Sequence, residues 1–227
     1  MTIKLRRIRA CVFDAYGTLF DVNSAARACR DSLGENCQSL AELWRFKQLQ
    51  YTLLRSLTGN HADFWRITGD ALDFALATFR IDDSALRAKL MSLYMVPAVY
   101  PEVHASMNRL KAAGMKLAIL SNGSPEMLAS AARNANIADM LDATLSVEEV
   151  EVYKPHPSVY ALVCARLNVE ANEVCFVSSN GWDAYSAKAF GFKVLWCNRL
   201  NQEPERIPET PDAQIATLAD LPNIVLD

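Results

Sequence analysis

The feature of this sequence that most constrains its fold is a recurring alternation of short apolar runs with amphipathic segments. Apolar runs occur at Ala10–Phe13, Met115–Leu120, Val174–Val177 and Lys193–Cys197. Each run has the length of a buried parallel strand. Strands that alternate with helices predict a parallel sheet covered by helices on both faces, and therefore an α/β fold.

Helix start and stop signals lie between these runs. Glu102–Ala113 is amphipathic, and Ser124 followed by Pro125 is typical of an N-cap and the first helical position. A helix over Trp182–Phe190 is predicted to end at Gly191, which can adopt the left-handed conformation of a helix C-terminus. Both sets of signals agree with the α/β alternation.

The stretch Val22–Val96 interrupts the alternation, because it contains no convincing strand. Three parts of it have helical periodicity, namely Leu40–Leu57, Phe64–Phe79 and Ser84–Met95. We therefore expect an all-helical insert after the first strand. An insert at that point would lie over the strand ends as a lid.

These patterns predict a division of the chain into two parts. The predicted core comprises residues 1–20 and 97–227, and the predicted helical cap comprises residues 21–96. The Pro- and Glu-rich segment Asn201–Pro211 is expected to be an irregular surface loop.

Composition excludes several classes of partner. The net charge is −3 with no basic run, which argues against a nucleic-acid or anionic-membrane surface. No stretch is long and apolar enough to span a bilayer, and the charged N-terminus lacks the apolar segment of a signal peptide. None of the six cysteines forms a CxxC pair, and the three histidines lie in unrelated segments. We expect a cytoplasmic protein without a zinc site.

Polar residues follow the apolar runs at Asp14–Thr18, Ser121–Gly123 and Ser178–Asn180. Asp183 comes three residues after the last of these clusters, and Lys154 lies in the segment between the second and the third. Parallel strands would bring these groups to one edge, where α/β proteins bind ligands. A carboxylate at the end of a buried strand needs partners. One such cluster could be ordinary helix capping. Three clusters and a lysine favour a functional site.

The residue types indicate a chemistry. The Asp14 carboxylate could attack a carbon or phosphorus centre and form an ester. Ser121, Asn122 and Lys154 could hold an anionic substrate group, and Lys154 near Asp14 would keep that carboxylate ionised. Asp183, in the first turn of a helix, could orient or deprotonate a water molecule.

The same motifs, in the same order, resemble those of the haloacid dehalogenase superfamily, and more closely those of the (S)-2-haloacid dehalogenases. The resemblance covers essentially the whole chain. The matching stretches are Phe13–Val22, Leu43–Arg45, Gln48–Thr52, Leu120–Ser124, Val152–Pro155 and Phe176–Asp183.

This resemblance implies a Rossmann-like core with an inserted all-helical cap. It also implies hydrolysis of short (S)-2-haloalkanoic acids to (R)-2-hydroxy acids with inversion, through an ester on Asp14. The reaction would need no cofactor and no metal. The implied partners are the haloacid, a halide ion and a second copy of the chain, since related enzymes are commonly homodimers.

Position 16 distinguishes the branches of this superfamily. Its phosphatases typically carry a second aspartate two residues after the nucleophile, which protonates the leaving group and whose carbonyl helps to bind magnesium. Here the residue is Tyr16, which stays protonated at neutral pH and cannot replace that carboxylate. A departing halide needs no proton. Two alternatives remain: a small-molecule phosphatase of the superfamily and a non-catalytic binding relative.

By resemblance, Arg45 would stabilise the departing halide, with Asn122 sharing the cradle. Ser121 and Lys154 would bind the substrate carboxylate or Asp14. Thr18 would donate a hydrogen bond to the nucleophile. The alternative for Arg45 is a solvated charge on the cap, and the alternative for Thr18 is a turn hydroxyl.

The resemblance also assigns the second step of the reaction. Asp183 would activate the hydrolytic water, helped by Lys154 and Asn180. Ser178 and Tyr160 fall on positions important in the family, although Tyr160 could equally be ordinary helix packing.

An apolar wall around the substrate would exclude water from Asp14. The wall residues would be Tyr16, Leu49, Phe64 and Trp182, each of which could equally belong to the core. The residues implied to contact substrate or halide are Tyr16, Arg45, Leu49, Phe64, Ser121, Asn122, Lys154, Asn180 and Trp182.

Three positions depart from the family pattern. Ala15 stands where a larger aliphatic residue is common, and Gly181 stands where alanine is expected. Phe46 follows Arg45 where some members have a polar residue, and it could narrow or dry the pocket.

Overall fold

The computed structural model describes residues 3–226, and its centre is a six-stranded sheet in the order β5-β4-β1-β6-β7-β8. Every neighbouring pair in this sheet is parallel, as the sequence pattern predicts. A separate two-stranded antiparallel sheet joins β2 to β3. In chain order the strands are β1 (Ala10–Phe13), β2 (Phe20–Asp21), β3 (Ala98–Val99), β4 (Lys116–Ser121), β5 (Ala143–Ser146), β6 (Val174–Ser178), β7 (Lys193–Cys197) and β8 (Ala213–Ile215).

The central strand β1 is fully buried because it lies between β4 and β6 and is covered on both faces. Its last residue, Phe13, is in register with Ile119 of β4 and Val177 of β6. Beyond this level β6 continues by one residue, to Ser178, and β4 by two, to Ser121. This register brings Asp14 and the polar ends of β4 and β6 to one edge of the sheet.

Helices cover the sheet and form the insert after β2. They are α1 (Ser24–Ala28), α2 (Arg30–Leu33), α3 (Cys37–Thr58), α4 (Phe64–Thr78), α5 (Ser84–Tyr94), α6 (Val103–Ala112), α7 (Pro125–Asn134), α8 (Pro157–Leu167), α9 (Gly181–Phe190) and α10 (Leu221–Val225). The predicted Ser124 N-cap is present, since its side chain accepts from the Met127 N–H, and Gly191 ends α9 at a φ of 114°. No helix of residues 3–226 is long and apolar enough to cross a membrane.

The helical insert matches the sequence prediction in α3, α4 and α5. The short α1 and α2 were not predicted separately, because they are too short to show a helical period. The exact limits of core and cap stay a prediction. The chain enters the predicted cap at β2 and leaves it at β3. These two strands pair antiparallel, Phe20 with Val99 and Asp21 with Ala98, and so hold the two connections together.

Two strands of the main sheet were not foreseen. The strand β5 is an edge strand whose first half is exposed or half-buried, so its sequence lacks a continuous apolar run. The strand β8 is the opposite edge and contains only three residues. The segment Asn201–Pro211, which precedes it, contains no helix or strand, as expected.

The loop after β4 packs closely against Tyr16. A Cβ atom added at Gly123 would lie 2.9 Å from Tyr16 Cε2 and 3.0 Å from Leu128 Cδ2. The Tyr16 ring is buried and also packs on other aromatic rings. Even one methyl group at position 123 therefore has to displace a buried ring.

We expect Gly123→Ala to lower the free energy of unfolding by about 1–3 kcal/mol, because overpacking forces buried side chains from their preferred positions. Gly69→Ala in the middle of α4 is the matched control. The added Cβ there would meet only the ends of the flexible Arg87 and Met91 side chains, at 3.3 and 3.6 Å. Alanine in a helix is favoured over glycine by roughly 0.5–1 kcal/mol. Urea unfolding measures both, and equal effects would contradict this interpretation of Gly123.

Candidate active site

Asp14 lies directly after β1, and donors from three other segments surround its carboxylate. Its backbone N–H donates to the Val177 carbonyl at 2.9 Å, which fixes the residue at the sheet edge. Its Oδ2 accepts from Thr18 Oγ1 at 3.1 Å and from Asn180 Nδ2 at 2.8 Å, while Oδ1 lies 3.2 Å from Lys154 Nζ. Oδ1 therefore receives one donor and Oδ2 receives two. The lone pairs of Oδ1 are the more available for attack.

A single ammonium group bridges two buried carboxylates. Lys154 Nζ donates to Asp183 Oδ2 at 2.9 Å as well as to Asp14, and Tyr160 donates its hydroxyl to Asp183 Oδ1 at 2.8 Å. Asp183 is 0% exposed and Lys154 is 3% exposed. Buried charges persist only when they are paired and hydrogen-bonded, which this arrangement achieves. Tyr160 thus has a partner in the site in addition to its packing against Phe176 and Phe192.

Burial and charge shift the pKa values of this group in defined directions. Burial disfavours the Lys154 ammonium, yet the two carboxylates outweigh it and hold its pKa above the ordinary value. Burial raises the pKa of Asp183, with the Asp14 charge adding to the shift and Lys154 opposing it. A carboxylate with a raised pKa is a stronger base toward water.

The side-chain amide of Asn180 connects the nucleophile, the Tyr16 backbone and the cap. Its Nδ2 donates to Asp14 Oδ2 and to the Tyr16 carbonyl oxygen at 3.2 Å, and its Oδ1 accepts from Arg45 Nη2 at 3.4 Å. The Ser178 hydroxyl supports it by accepting from the Asn180 N–H at 3.2 Å. The amide nitrogen therefore joins the carboxylate of Asp14 to the backbone of Tyr16.

The described part of the chain, residues 3–226, contains no cluster of typical metal-binding side chains. No group of three His, Cys, Asp or Glu residues in this part of the chain is arranged to hold an ion. The absence of a metal requirement stays a prediction from the sequence.

Tyr16 forms part of an aromatic wall next to this cluster. Its ring stacks on Tyr94 at a centroid distance of 5.4 Å and lies 6.0 Å from Phe64. Burial raises its pKa well above the ordinary value, so the phenol stays neutral. The Tyr16 hydroxyl is buried and has no hydrogen-bond partner within residues 3–226.

Other residues implied by the resemblance lie around the cluster without touching Asp14. Asn122 Oδ1 accepts from the Lys154 N–H at 3.1 Å, and Ser121 Oγ accepts from the Gly123 N–H at 3.1 Å. Both therefore shape the loops that present the site. Leu49 and Trp182 are half-buried, and their side chains form no hydrogen bond or ring contact with the cluster in the described chain.

The structure accounts for one of the three departures from the family pattern and corrects the expectation for another. The suggestion that Phe46 narrows or dries the pocket is wrong for this chain, because its side chain lies on the outer face of α3 and is 59% exposed. At Gly181, a Cβ atom would lie 2.8 Å from Glu205 Oε1 and 2.9 Å from its Cγ. Alanine there would require the exposed Glu205 side chain to move, whereas glycine leaves it in place. Ala15 is fully buried, and nothing around it explains the smaller residue.

Sequence reasoning assigned no role to three polar residues of the cap that hydrogen bonds connect beside Arg45, namely Gln48, Thr68 and Tyr94. Gln48 Oε1 accepts from Arg45 Nη1 at 2.7 Å and from the Tyr94 hydroxyl at 3.1 Å, while Gln48 Nε2 donates to Thr68 Oγ1 at 2.7 Å. One signal was available, since Gln48 is three residues after Arg45 and shares its helix face. The roles of Thr68 and Tyr94 depend on contacts between helices.

Comparison with known proteins agrees with this fold. Residues 8–191 match the family model of the haloacid dehalogenase-like hydrolases, and the chain belongs to that family.

Within that family it belongs to the (S)-2-haloacid dehalogenases. It is 46% identical to (S)-2-haloacid dehalogenase 1 of Pseudomonas sp. (strain CBS-3) over 220 residues, covering 96% of this chain and 97% of that one. It is 44% identical to (S)-2-haloacid dehalogenase 4A of Burkholderia cepacia, covering 94% and 93%. Among solved structures it resembles the L-2-haloacid dehalogenase of Xanthobacter autotrophicus with chloropropionic acid covalently bound, at 40% identity and a TM-score of 0.89, covering 95% and 97%.

The raised pKa of Asp183 predicts a specific dependence of stability on pH. Above the ordinary aspartate pKa of 3.8 the unfolded chain loses this proton while the folded chain keeps it, so stability falls as pH rises toward the folded value. Asp183→Asn removes this contribution. Relative to wild type, the variant should therefore gain stability as pH rises through that window, by up to about 1.4 kcal/mol per pH unit.

Urea unfolding of both proteins over a series of pH values measures this difference. A difference that does not change with pH, or one that changes in the opposite direction, would contradict the assigned pKa shift.

Proposed function

We propose that this protein hydrolyses short (S)-2-haloalkanoic acids to (R)-2-hydroxy acids, with inversion at C2 and through an ester on Asp14. The substrate class is that named for its relatives, the (S)-2-haloacid dehalogenases. The reaction uses side chains alone. Release of a halide requires neither a proton nor a divalent metal.

The observation that carries this proposal is the position of the Asn180 amide. Its nitrogen contacts both Asp14 Oδ2 and the Tyr16 carbonyl. In phosphatases of the superfamily the carbonyl at this position helps to bind magnesium. The side chain at position 16 is a neutral phenol and cannot act as the second carboxylate. Support for an ester comes from the Xanthobacter autotrophicus relative, whose solved structure has chloropropionic acid covalently bound.

In the first step, Asp14 Oδ1 attacks C2 on the face opposite the halogen. The new C–O bond forms as the carbon–halogen bond breaks, and the halide leaves with the bonding electron pair. Arg45 is the cation that accepts this charge, and Asn180 holds its guanidinium toward the nucleophile. Asn122 completes the halide side of the site. Attack on one face inverts the configuration of C2.

In the second step, water attacks the ester carbonyl carbon of Asp14 while Asp183 accepts its proton. Negative charge develops on Oδ2, which already receives hydrogen bonds from Thr18 and Asn180, so these donors stabilise it without rearrangement. The intermediate expels the alkoxide of the hydroxy acid, which recovers the proton from Asp183. The restored Asp14 carboxyl releases one proton to solvent. C2 takes no part in this step and stays inverted.

The remaining residues bind and shield the substrate. Ser121 holds the substrate carboxylate, Lys154 holds Asp14, and Ser178 and Tyr160 position Asn180 and Asp183. The apolar side chains exclude water from the carboxylates and strengthen their interactions with the cations. These apolar side chains are Tyr16, Leu49, Phe64 and Trp182.

With (S)-2-chloropropionate in the presence of a chelator, we expect equal amounts of chloride and (R)-2-hydroxypropionate. Asp14→Asn should lower kcat by about a thousandfold or more, because the nucleophile is lost. Ion chromatography and chiral chromatography measure the two products. Thr144→Ser, in β5 away from the cluster, is a control for handling of the protein.

A single turnover in heavy-oxygen water distinguishes the ester route from direct attack by water. The ester route places the label in the Asp14 carboxylate and leaves the first product unlabelled, as mass spectrometry of the protein would detect. Label in the product alone would overturn the ester. Magnesium-dependent release of phosphate from a small phosphate ester, with no halide released from any short haloacid, would instead identify a phosphatase.

The proposed assembly is a homodimer formed through the outer face of the cap. Exposed apolar side chains are concentrated there, at Phe46, Leu53, Leu54 and Leu57 of α3 and Phe74 of α4. Lys47 Nζ lies 4.2 Å from the Phe74 ring centroid and 5.8 Å from that of Phe46, so the two helices contribute to one surface. A two-fold axis would bury this surface against itself.

Leu57→Asp should weaken dimerisation by about a hundredfold, since it introduces like charges into a self-complementary apolar face. Leu200→Asp is the matched control, because Leu200 is 77% exposed and Leu57 is 74% exposed. Analytical ultracentrifugation measures both variants. A monomeric wild type, or a Leu57→Asp protein that remains as dimeric as the control, would contradict the proposed interface.

We place the protein in the cytoplasm. The support is that all six cysteines are free thiols and that Cys11, Cys29, Cys175 and Cys197 are buried. Such usage is typical of a reducing compartment.

A further inference from the structure

Arg45 differs from the other half-buried arginines in what it contacts. Four arginines within residues 3–226 are half-buried, and three of them pair with a carboxylate. Those pairs are Arg55–Asp70, Arg87–Asp73 and Arg199–Glu102. Arg45 donates instead to two neutral amide oxygens, Gln48 Oε1 at 2.7 Å and Asn180 Oδ1 at 3.4 Å. Its positive charge is therefore oriented but not neutralised.

The Gln48 side chain has only one possible orientation. It is 1% exposed, and its Nε2 donates to Thr68 Oγ1 at 2.7 Å. Thr68 Oγ1 uses its own hydrogen to bond the Phe64 carbonyl at 2.6 Å, so toward Gln48 it can only accept. The amide NH₂ must therefore face Thr68, and the carbonyl oxygen must face Arg45.

A third helix fixes the same oxygen. The Tyr94 hydroxyl at the end of α5 donates to Gln48 Oε1 at 3.1 Å. Burial raises the pKa of Tyr94, so this hydroxyl remains a donor. Tyr94 also stacks on Tyr16 and packs on Trp44, at centroid distances of 5.4 and 5.1 Å. Helices α3, α4 and α5 thus all hold the acceptor that aims the guanidinium.

The choice of a neutral acceptor has an electrostatic consequence. A carboxylate at position 48 would hold Arg45 equally well, but it would form an ion pair and reduce the field available to any other anion. A carbonyl oxygen fixes the guanidinium and leaves the net positive charge in place. A half-buried arginine held in this way is suited to take up an anion that appears during the reaction.

We propose that Gln48 is a positioning residue that aims Arg45 and keeps its charge available for the departing halide. It acts through Arg45 and does not touch the substrate. The inference rests on the proposed function, since the anion it concerns is the leaving group of dehalogenation. It follows that Gln48 controls how strongly catalysis depends on the halogen, because chloride leaves less readily than bromide and needs more stabilisation.

The test compares Gln48→Glu, Gln48→Met and the control Gln50→Glu. Glutamate at 48 keeps the acceptor and cancels the charge, whereas methionine keeps the charge and removes the acceptor. Gln50→Glu adds the same charge to the same helix, beside Lys47, whose Nζ already donates to Gln50 at 2.9 Å. Circular dichroism and thermal melts establish that each variant folds.

The first readout is the kcat/KM ratio of (S)-2-bromopropionate to (S)-2-chloropropionate. We expect this ratio to rise about tenfold in Gln48→Glu, to rise less in Gln48→Met, and to stay unchanged in Gln50→Glu. A residue that served only stability would lower both activities and leave the ratio constant. An unchanged ratio in a folded Gln48→Glu, or a larger rise in Gln48→Met than in Gln48→Glu, would overturn the inference.

The second readout needs no turnover. Broadening of the chlorine NMR line by the protein reports chloride bound at Arg45, and it should be lost in Gln48→Glu and in Arg45→Ala but kept in Gln50→Glu. If wild type binds chloride in this way but releases no halide from any haloacid, the proposed function fails, and with it the role of Gln48 toward a leaving group; loss of broadening in Gln48→Glu would then assign Gln48 only to anion binding at Arg45. If wild type is an active dehalogenase and Gln48→Glu binds chloride normally, only the inference on Gln48 fails. Should Gln48→Glu not fold, Gln48→Met must show weakened broadening and a raised ratio, or the inference is rejected.

Discussion

The salt bridge of Lys154 with both Asp14 and Asp183 is the interaction on which the rest of this structure depends. Two carboxylates with almost no exposure would repel one another and resist ionisation, and the ammonium between them makes their burial tolerable. This geometry requires the end of β1, the loop before α8 and the first turn of α9 to lie next to one another. The parallel register of the central strands provides that convergence. The sheet therefore serves to assemble a charge arrangement that could not form on a flexible chain.

The helical insert supplies the second cation of the site, Arg45, whose hydrogen-bond partners differ in charge from those of Lys154. Lys154 is neutralised by two carboxylates, whereas Arg45 is held by amide oxygens alone. One side of the site is therefore suited to holding a nucleophile and a base, and the other is suited to receiving a new negative charge. Asn180 contacts both sides, so the position of the cap and that of the nucleophile are tied through one side chain.

Local patterns predicted the parts of this structure that depend on local physics. Buried strands and the long helices of the insert are visible as apolar runs and helical periods, and the polar strand ends predicted that Asp14 lies near Lys154 and Asp183. Other features depend on contacts between distant segments. The edge strands β5 and β8 are too short or too exposed to show a pattern, and the hydrogen bonds of Gln48 require three helices to be packed. The resemblance identified Phe46 as a departure from the family pattern, but it did not show that the side chain is exposed.

The close approach of Glu205 to Gly181 has a consequence for how substitutions at the two positions combine. The Glu205 side chain lies in the space that a methyl group at 181, the first residue of α9, would fill. Because Glu205 is exposed, its side chain can rotate into solvent, so alanine at 181 would loosen this contact of the loop after β7 rather than prevent folding. The effect of a substitution at 181 therefore depends on the residue at 205, and a library that varies both positions together would reveal that dependence.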